Sequence, residues 1–376
     1  MKNNKKQEFI EQLAKHLEEN AIRPEEIGAI TKASSYNQLI KDDSGKLVPL
    51  ELWSFQYKPV NFNVEPKWEL FRPAPLVSLP KSTVKSKVNP KQKTCVIVPD
   101  VQIGFFRDAQ ENLVPTHDEE AINIALKVIE DLQPSMIVCV GDNIDFPEFS
   151  KYRLTPAYHA TTQASLDRAS LLAAQLRAAA PKARIVWLAG NHEERLPNYI
   201  LDNAKAAFGL KNGNTPKSFP VLSVPSLCGF DVYKVEYIPG YPAGEFWIND
   251  NIKVIHGTKC KTGANTAHAY LRDEKVSVIY GHIHRIETAY KTRKDSKGAS
   301  TIMAASAGCL ARVDGAVPST KGSKDLDGRP IKISEDWQQG LAVITYETQG
   351  DSKFSYEVMP ILDGWAMFRG TQYTAS

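Results

Sequence analysis

The chain has 376 residues, of which 42% are hydrophobic and 24% charged, with a formal net charge of +3. That length fits one large domain with an appendage and supplies enough apolar material for a sizeable core. So small a net charge excludes bulk electrostatics as a sign of nucleic-acid binding, which would have to show as local clustering.

The opening run MKNNKKQEFIEQL has no apolar stretch of the kind a secretory leader carries, and no segment approaches the ~20 apolar residues of a membrane span. A cytoplasmic protein without a membrane partner is expected. Cys95, Cys139, Cys228, Cys260 and Cys309 form no CxxC pair. Cys95 and Cys139 fall in apolar strand-like runs, so buried free thiols in a reducing compartment are expected.

Phe9, Ile10, Leu13 and Leu17 recur at helical spacing and predict a first amphipathic helix ending near Asn20. Pro24 followed by Glu25 and Glu26 suits the first turn of a second helix, because proline lacks the N–H that would be orphaned there and acids favour that end. Ser34 or Ser35 would cap a third helix through Leu39 and Ile40, ahead of a turn at Asp42-Asp43-Ser44-Gly45. Residues 25–40, EEIGAITKASSYNQLI, thereby resemble a helix-turn-helix with Ile27 and Ile30 inward and Lys32-Ala33-Ser34 at the turn. A plain three-helix docking module accounts for the same spacing. Residues 1–60 are expected to form this helical appendage, and residues 61–93 a linker. Within the linker, KSTVKSKVNPKQK holds five lysines and no acid. It reads as a solvated connection or as an arm that also touches a phosphate backbone.

Residues 94–363 alternate between strand and helix. Strand-like runs are TCVIVPD, MIVCVGD, RIVWLAGN, VSVIYGH and STIMAASAG. Asp118 to Leu132 is an amphipathic helix with a capping acid, and Leu166 to Ala179 is an Ala- and Leu-rich one. EFWI-NDN-IKVIHG reads as a hairpin, Gln339 to Ile361 as two further strands, and residues 364–376 as a C-terminal tail. This order predicts an α/β fold with helices covering two stacked sheets.

Five short motifs occur in order at the ends of these runs: Asp100-Val-Gln102, Gly141-Asp142-Asn-Ile-Asp145, Gly190-Asn191-His192-Glu193, His256-Gly257 and Gly281-His282-Ile-His284. In an α/β sheet such positions converge at one edge, where loops surround a ligand. Asp100 and Gln102, like His282 and His284, are two apart, so in extended backbone each pair faces one cavity. Two histidines so placed can serve two neighbouring cations, and Asp142 has two oxygens with which to bridge them. Two divalent ions ~3.5–4 Å apart would clamp a phosphate and activate water. Imidazole, carboxylate and amide oxygen suit Mn, Fe, Zn or Co without any cysteine. The glycines at 141, 190 and 281 let the backbone turn at strand ends and bring ligands close to the chain.

The ordered set resembles the calcineurin-like metallophosphoesterases, whose motifs run DxH, GDxxD, GNHE or GNHD, a lone His and GHxH; the resemblance spans about Thr94 to Asp363. It implies a four-layer α-β-β-α sandwich and a dinuclear metal-dependent phosphoesterase. It further implies that Asp100, Gln102, Asp142 and His284 hold one metal, and that Asp142, Asn191, His256 and His282 hold the other. His192 would stand outside the metals, bonding the phosphate or protonating the leaving oxygen, a role that suits a group titrating near neutrality. The first motif of the family normally ends in His. Gln102 supplies a harder, neutral amide oxygen instead, which shifts that site toward Mn or Mg. Two divalent ions, Mn foremost, are the expected cofactors. The stretches HGTKCKTGANTA and AGCLARVD are similar to phosphoesterases found in bacteriophages, which would place the protein in a host cytoplasm.

Asp145 could orient a ligand or cap the chain entering Phe146-Pro147. Glu193 is expected to stabilise a helix N-terminus. Arg195, Lys259, Lys261 and Arg285 lie just past the motifs and could grip phosphate oxygens or make surface ion pairs. His117 is expected at a helix start, His159 and His268 at exposed or backbone-satisfied positions, and the tryptophans in the core or at domain contacts. The expected reaction is hydrolysis of a phosphate ester by water activated between the metals, without a covalent enzyme intermediate. The lysine arm, the helix-turn-helix reading and the bacteriophage-like stretches favour a phosphodiester in DNA, RNA or a nucleotide. The alternatives are a nucleic-acid-binding or assembly module with a weak metal site, or a phosphomonoesterase acting on small molecules or proteins.

Overall fold

The computed structural model describes residues 2–19, 27–41, 44–59, 92–151, 154–214, 219–296, 298–319, 335–348 and 352–375. The chain divides into two compact units, Met1–Arg72 and Pro73–Ser376.

In the first unit, helix α1 (Lys2–Glu19) matches the helix expected from Phe9, Leu13 and Leu17. The helix-turn-helix does not form. Residues 27–41 and 47–59 are instead two antiparallel strands, β1 (Ile27–Lys41) and β2 (Leu47–Pro59), with Ser35 opposite Trp53 and Tyr36 opposite Leu52. The physical reason lies in β2, where Trp53 and Phe55 alternate with polar Ser54 and Gln56 and so share one face of the hairpin. Phe9 of α1 packs on both rings, with centroids 6.3 and 5.7 Å away. Gly45 at φ +80° turns the chain between the strands, a conformation glycine adopts without penalty. The start of the expected second helix at Pro24 and most of the lysine-rich stretch lie outside the described residues; its last two residues, Gln92 and Lys93, open a strand of the second unit.

The second unit begins with β3 (Gln92–Val98), the small hairpin β4 (Phe105–Arg107) and β5 (Leu113–Pro115), then α2 (Glu119–Leu132), β6 (Met136–Cys139), α3 (Thr162–Ala179) and β7 (Arg184–Leu188). There follow α4 (Arg195–Asn203), the one-turn helices α5 (Val224–Leu227) and α6 (Phe230–Tyr233), β8 (Val235–Ile238), β9 (Glu245–Asn249), β10 (Ile252–Ile255) and α7 (Asn265–Asp273). The chain closes with β11 (Ser277–Tyr280), β12 (Ile286–Asp295), β13 (Gly298–Ala307), β14 (Gln339–Glu347), β15 (Phe354–Ile361), β16 (Trp365–Phe368) and β17 (Thr371–Thr374).

A six-stranded sheet runs β15-β14-β3-β6-β7-β8 and a five-stranded sheet β12-β13-β11-β10-β9. Side chains alternate in period two along the central strands. Cys95, Ile97, Val138, Val186 and Leu188 of the larger sheet share one core with Phe246, Val254, Ile279 and Met303 of the smaller. The intervening residues Val96, Ile137, Ile185 and Trp187 pack instead with Ile122, Ile129, Leu172 and Leu176 of α2 and α3. On the smaller sheet Val278, Tyr280 and Ile302 pack with Tyr270 and Leu271 of α7. Asp118 caps α2 through its side chain, as expected, accepting the amides of Glu120 and Ala121.

The tail expected beyond residue 363 is a hairpin built into this unit. Arg369 and Gly370 both take positive φ (+48° and +82°) between β16 and β17, the conformation of a tight two-residue turn. Ala366, Phe368 and Tyr373 join the core beside α2, and the Tyr373 hydroxyl donates to Asp131 at 2.7 Å. Four cysteines are buried, whereas Cys260 is exposed, so not every thiol is a core residue. Among the described residues no helix is long and apolar enough to cross a membrane.

Candidate metal centre

β3, β6 and β7 run parallel in one sheet and β10 and β11 run parallel in the other. Their carboxyl ends deliver Asp100, Asp142, Asn191, His256 and the His282–His284 loop to one place. The loops are stitched together by main-chain bonds. Gln102 N donates to Asp142 O at 2.9 Å, and Gly281 N to His256 O at 2.9 Å.

The two i, i+2 pairs converge by a route other than strand alternation. Gln102 (φ +52°), Asp142 (+49°), His282 (+72°) and His284 (+56°) all occupy the left-handed region, which costs an L-residue ~1 kcal/mol or more and persists where the surroundings enforce it. Four of the seven candidate ligands thus sit on strained backbone just past their strands. Close approach explains two of the glycines. A Cβ at Gly190 would overlap the Asp142 carboxylate, and one at Gly281 would overlap Asp100 Oδ2.

Five of the seven side chains form two overlapping groups. Ligand atoms of Asp142, His256 and His282 lie within 4.8 Å of one another, as do those of Asp100, Asp142 and His284. Asp142 belongs to both. Its Oδ2 is 3.2 Å from His256 Nε2, while Asp100 Oδ1 is 3.3 Å from His284 Nε2. Asn191 Oδ1 lies 3.0 Å from His256 Nε2 and 2.9 Å from His282 Nδ1. Gln102 Nε2 is 3.3 Å from His284 Nε2.

Crowding shifts the titrating groups. Burial disfavours the charge on Asp142, but His192 and His256 beside it hold its carboxyl well below the usual range. Burial works against the His256 imidazolium too, yet the Asp142 charge and hydrogen bond push its pKa up to about 9. His282 goes the other way, lowered by burial and by the neighbouring His256. These groups pull on one another because they face a common small space. A cation entering it would have to displace the protons they share.

His192 stands just outside this set. Its backbone amide donates to Asp142 Oδ1 at 2.8 Å, and its Nδ1 lies 2.7 Å from Asp145 Oδ1. Burial lowers its pKa, but Asp142 and Asp145 outweigh burial and the nearby Arg195, leaving it raised. Asp145, for which the sequence left two roles open, is therefore the partner that orients His192. Arg195 is tied to the same corner, donating to Asp145 O at 2.7 Å and lying 3.0 Å from His192 Nε2.

Glu193 differs from its expected role. It does not cap the following helix; its carboxylate accepts from Asp142 N and Gly190 N at 2.8 Å and from Asn143 N at 2.9 Å. Only the fold reveals this, since the residues it joins are some fifty positions apart. Trp337, read as a core residue, also packs edge-on to His284 with ring centroids 4.0 Å apart. Among the basic candidates, Lys259 is engaged by Asp273 and by Ala269 O. Arg285 donates to Lys261 O at 2.5 Å, and the Lys261 side chain is exposed. His117 meets Glu119 Oε1 at 2.9 Å at the head of α2, and His159 and His268 are exposed.

The residues fit divalent cations. Asp100 Oδ2 and Gln102 Oε1 are buried without a hydrogen-bond partner, which is costly for polar atoms unless something else engages them. A donor set of carboxylates, imidazoles and amide oxygens is the chemistry borderline divalent metals take. Two stacked sheets thus carry a candidate metal-ligand cluster at their strand ends. The calcineurin-like phosphoesterase family model matches residues 96–285, and the chain belongs to that family. Its activity is accordingly metal-dependent phosphoester hydrolysis. No curated protein matches the chain.

Proposed function

We propose that this phosphoesterase hydrolyses phosphodiesters of nucleic acids or nucleotides with a pair of divalent cations, Mn foremost. Asp100, Gln102, Asp142 and His284 would hold one ion, and Asp142, Asn191, His256 and His282 the other. The observation that carries the reading is the shared position of Asp142, whose carboxylate belongs to both ligand groups. When bound, such a pair neutralises phosphate charge and makes water acidic enough to attack near neutral pH.

The remaining chemistry belongs to the chain. Asp145 holds the His192 ring through Nδ1, which fixes its orientation and leaves Nε2 as the working nitrogen. Protonated there, His192 delivers a proton to the departing alkoxide. Arg195, whose guanidinium faces Nε2 at 3.0 Å, would turn from the ring to a phosphate oxygen when substrate binds, leaving Nε2 free to carry the proton. The glutamate behind the cluster keeps the Asp142 and Gly190 loops in register.

The test is a substrate panel with protein stripped of metal and reloaded with Mn. It includes an aryl diester, an aryl monoester, single- and double-stranded DNA, RNA and cyclic nucleotides. Diester turnover should require the metal, vanish in Asp142→Asn and fall by ~10²-fold or more in His192→Gln, the usual scale for losing a general acid. Turnover confined to monoesters, or undiminished in Asp142→Asn, would overturn the proposal.

A further inference from the structure

The loop between β8 and β9 carries Tyr241, a residue that lies in none of the five motifs. Main-chain bonds pin this loop to the site. Ala189 N, just ahead of Gly190, donates to Ile238 O at 2.9 Å where the loop leaves β8. Gly240 N donates to Glu194 Oε1 at 3.3 Å. Inside the loop Ala243 N and Gly244 N both donate to Gly240 O, at 2.8 and 2.9 Å. Tyr241 is thereby held against the Ala189–Glu194 segment that also supplies Asn191 and His192.

The Tyr241 ring meets the His256 ring edge-on, with centroids 5.6 Å apart at 66°. The residue is half-buried, yet its hydroxyl has no hydrogen-bond partner among the described residues. A phenol packed into a protein normally finds one. Tyr270, the next tyrosine along the chain, does so, its hydroxyl accepting from Thr258 N at 2.9 Å and Lys259 N at 3.2 Å. Burial raises the Tyr241 pKa, and the Asp142 charge raises it further. The phenol is thus near enough to the central carboxylate to feel it without bonding to it.

The positions of the neighbouring donors give the free hydroxyl a use. His192 Nε2 and His256 Nε2 lie 3.6 and 3.2 Å from the same oxygen, Asp142 Oδ2. Arg195 stands on the His192 flank, 3.0 Å from that ring. On the His256 flank the basic candidates are engaged, Lys259 by Asp273 and Arg285 by the Lys261 carbonyl. A phosphate drawn to cations on Asp142 would meet a guanidinium on one side and the Tyr241 phenol on the other.

We infer that the Tyr241 hydroxyl donates a hydrogen bond to a non-bridging oxygen of the phosphate ester on the His256 side, making Tyr241 a substrate-binding residue. A hydroxyl donor to an oxyanion makes a short, charge-assisted bond and adds no charge of its own. The inference rests on the cation-pair reading above but not on the choice of diester over monoester.

The experiment titrates inorganic phosphate into the Mn-loaded parent and into Tyr241→Phe by calorimetry. Phenylalanine removes the hydroxyl and keeps the ring on His256. The variant should bind phosphate ~10-fold or more weakly, the scale of one hydrogen bond to a charged group. Its Mn affinity and melting temperature should match the parent, and kcat/KM for the substrate the parent turns over best should fall by a similar factor. Equal phosphate affinity in the two proteins overturns the inference. So does a parallel loss of Mn affinity, which would mean that the phenol supports His256 and not the substrate. A Mn-loaded parent that binds no phosphate is a separate result, refuting the cation-pair reading and this inference with it.

Discussion

Glu193 Oε2 accepts the backbone amide of Asp142 at 2.8 Å. The same carboxylate takes the amides of Gly190 and Asn143, so one buried side chain ties the loop after β6 to the loop after β7. Every one of these partners is a donor. Burial and the Asp142 charge push the Glu193 pKa up, and the converging amides work against that shift. The acid two residues after Asn191, a proposed ligand, thus shapes the site through backbone rather than by chemistry.

Glu193→Gln tests this arrangement. Glutamine retains one acceptor oxygen but turns an NH2 group toward amide donors, leaving at least one buried N–H unpaired at ~1–3 kcal/mol. The melting temperature should fall, and affinity for Mn should drop, because Asp142 and Asn191 are no longer held together. A variant as stable as the parent with unchanged metal affinity would show that the carboxylate is dispensable.

Gln102 carries the departure from the family motif, and its Oε1 is buried without a partner. Gln102→His should tighten metal binding on the Asp100–His284 side by roughly tenfold, the scale on which ligand support alters affinity. It should also move preference toward Zn, because imidazole is the softer donor. The substitution is sterically plausible because histidine is among the residues that tolerate positive φ. Calorimetric titration of the stripped protein with Mn and Zn reads the result, and weaker binding of both would refute the ligand role.

The metal motifs were legible because each ends an apolar strand, and parallel strands must bring their carboxyl ends to one edge. Glu193 was not, since a Glu after Gly-Asn-His looks like any acid entering a helix until the loop fifty residues upstream is laid against it. The N-terminal reading failed for another reason. Ile27 and Ile30 are three apart, a helical spacing that β1 accommodates only with register shifts beside both residues, and the deciding alternation lies downstream in Trp53 and Phe55 after Gly45. At the C-terminus the Arg369-Gly370 turn was readable in principle, flanked by Trp365–Phe368 and Thr371–Thr374. The Asp100/Gln102 and His282/His284 pairs converge through left-handed backbone, which sequence spacing does not reveal.

Gly190 is required by space, not by φ. Its missing Cβ is where the Asp142 carboxylate lies. Gly190→Ala should cost ~1–3 kcal/mol, as overpacking of a tight site does, and should lower the metal content of purified protein. Gly213→Ala is the control, since a Cβ there meets nothing within 4 Å. Equal melting temperatures and metal contents for the two variants would remove the steric argument.

Glu119 and Arg168 join α2 to α3, with Arg168 Nε and Nη2 each 2.7 Å from a carboxylate oxygen. Half-burial opposes the Glu119 charge, but Arg168 and His117 hold its carboxyl well below the usual range. A carboxyl depressed in the folded state stabilises it at every pH above the unfolded value of ~4.3, and that contribution drains away as pH falls through the folded value. The Glu119 side chain is 45% exposed, so solvent screening limits the pair to about 1 kcal/mol or less. Glu119→Gln should therefore melt up to ~4 °C below the parent at pH 7. The gap should narrow as pH drops from 4 toward 2, because protonated Glu119 and glutamine are both uncharged. A gap that stays constant or widens in acid would mean the contact works through shape rather than charge.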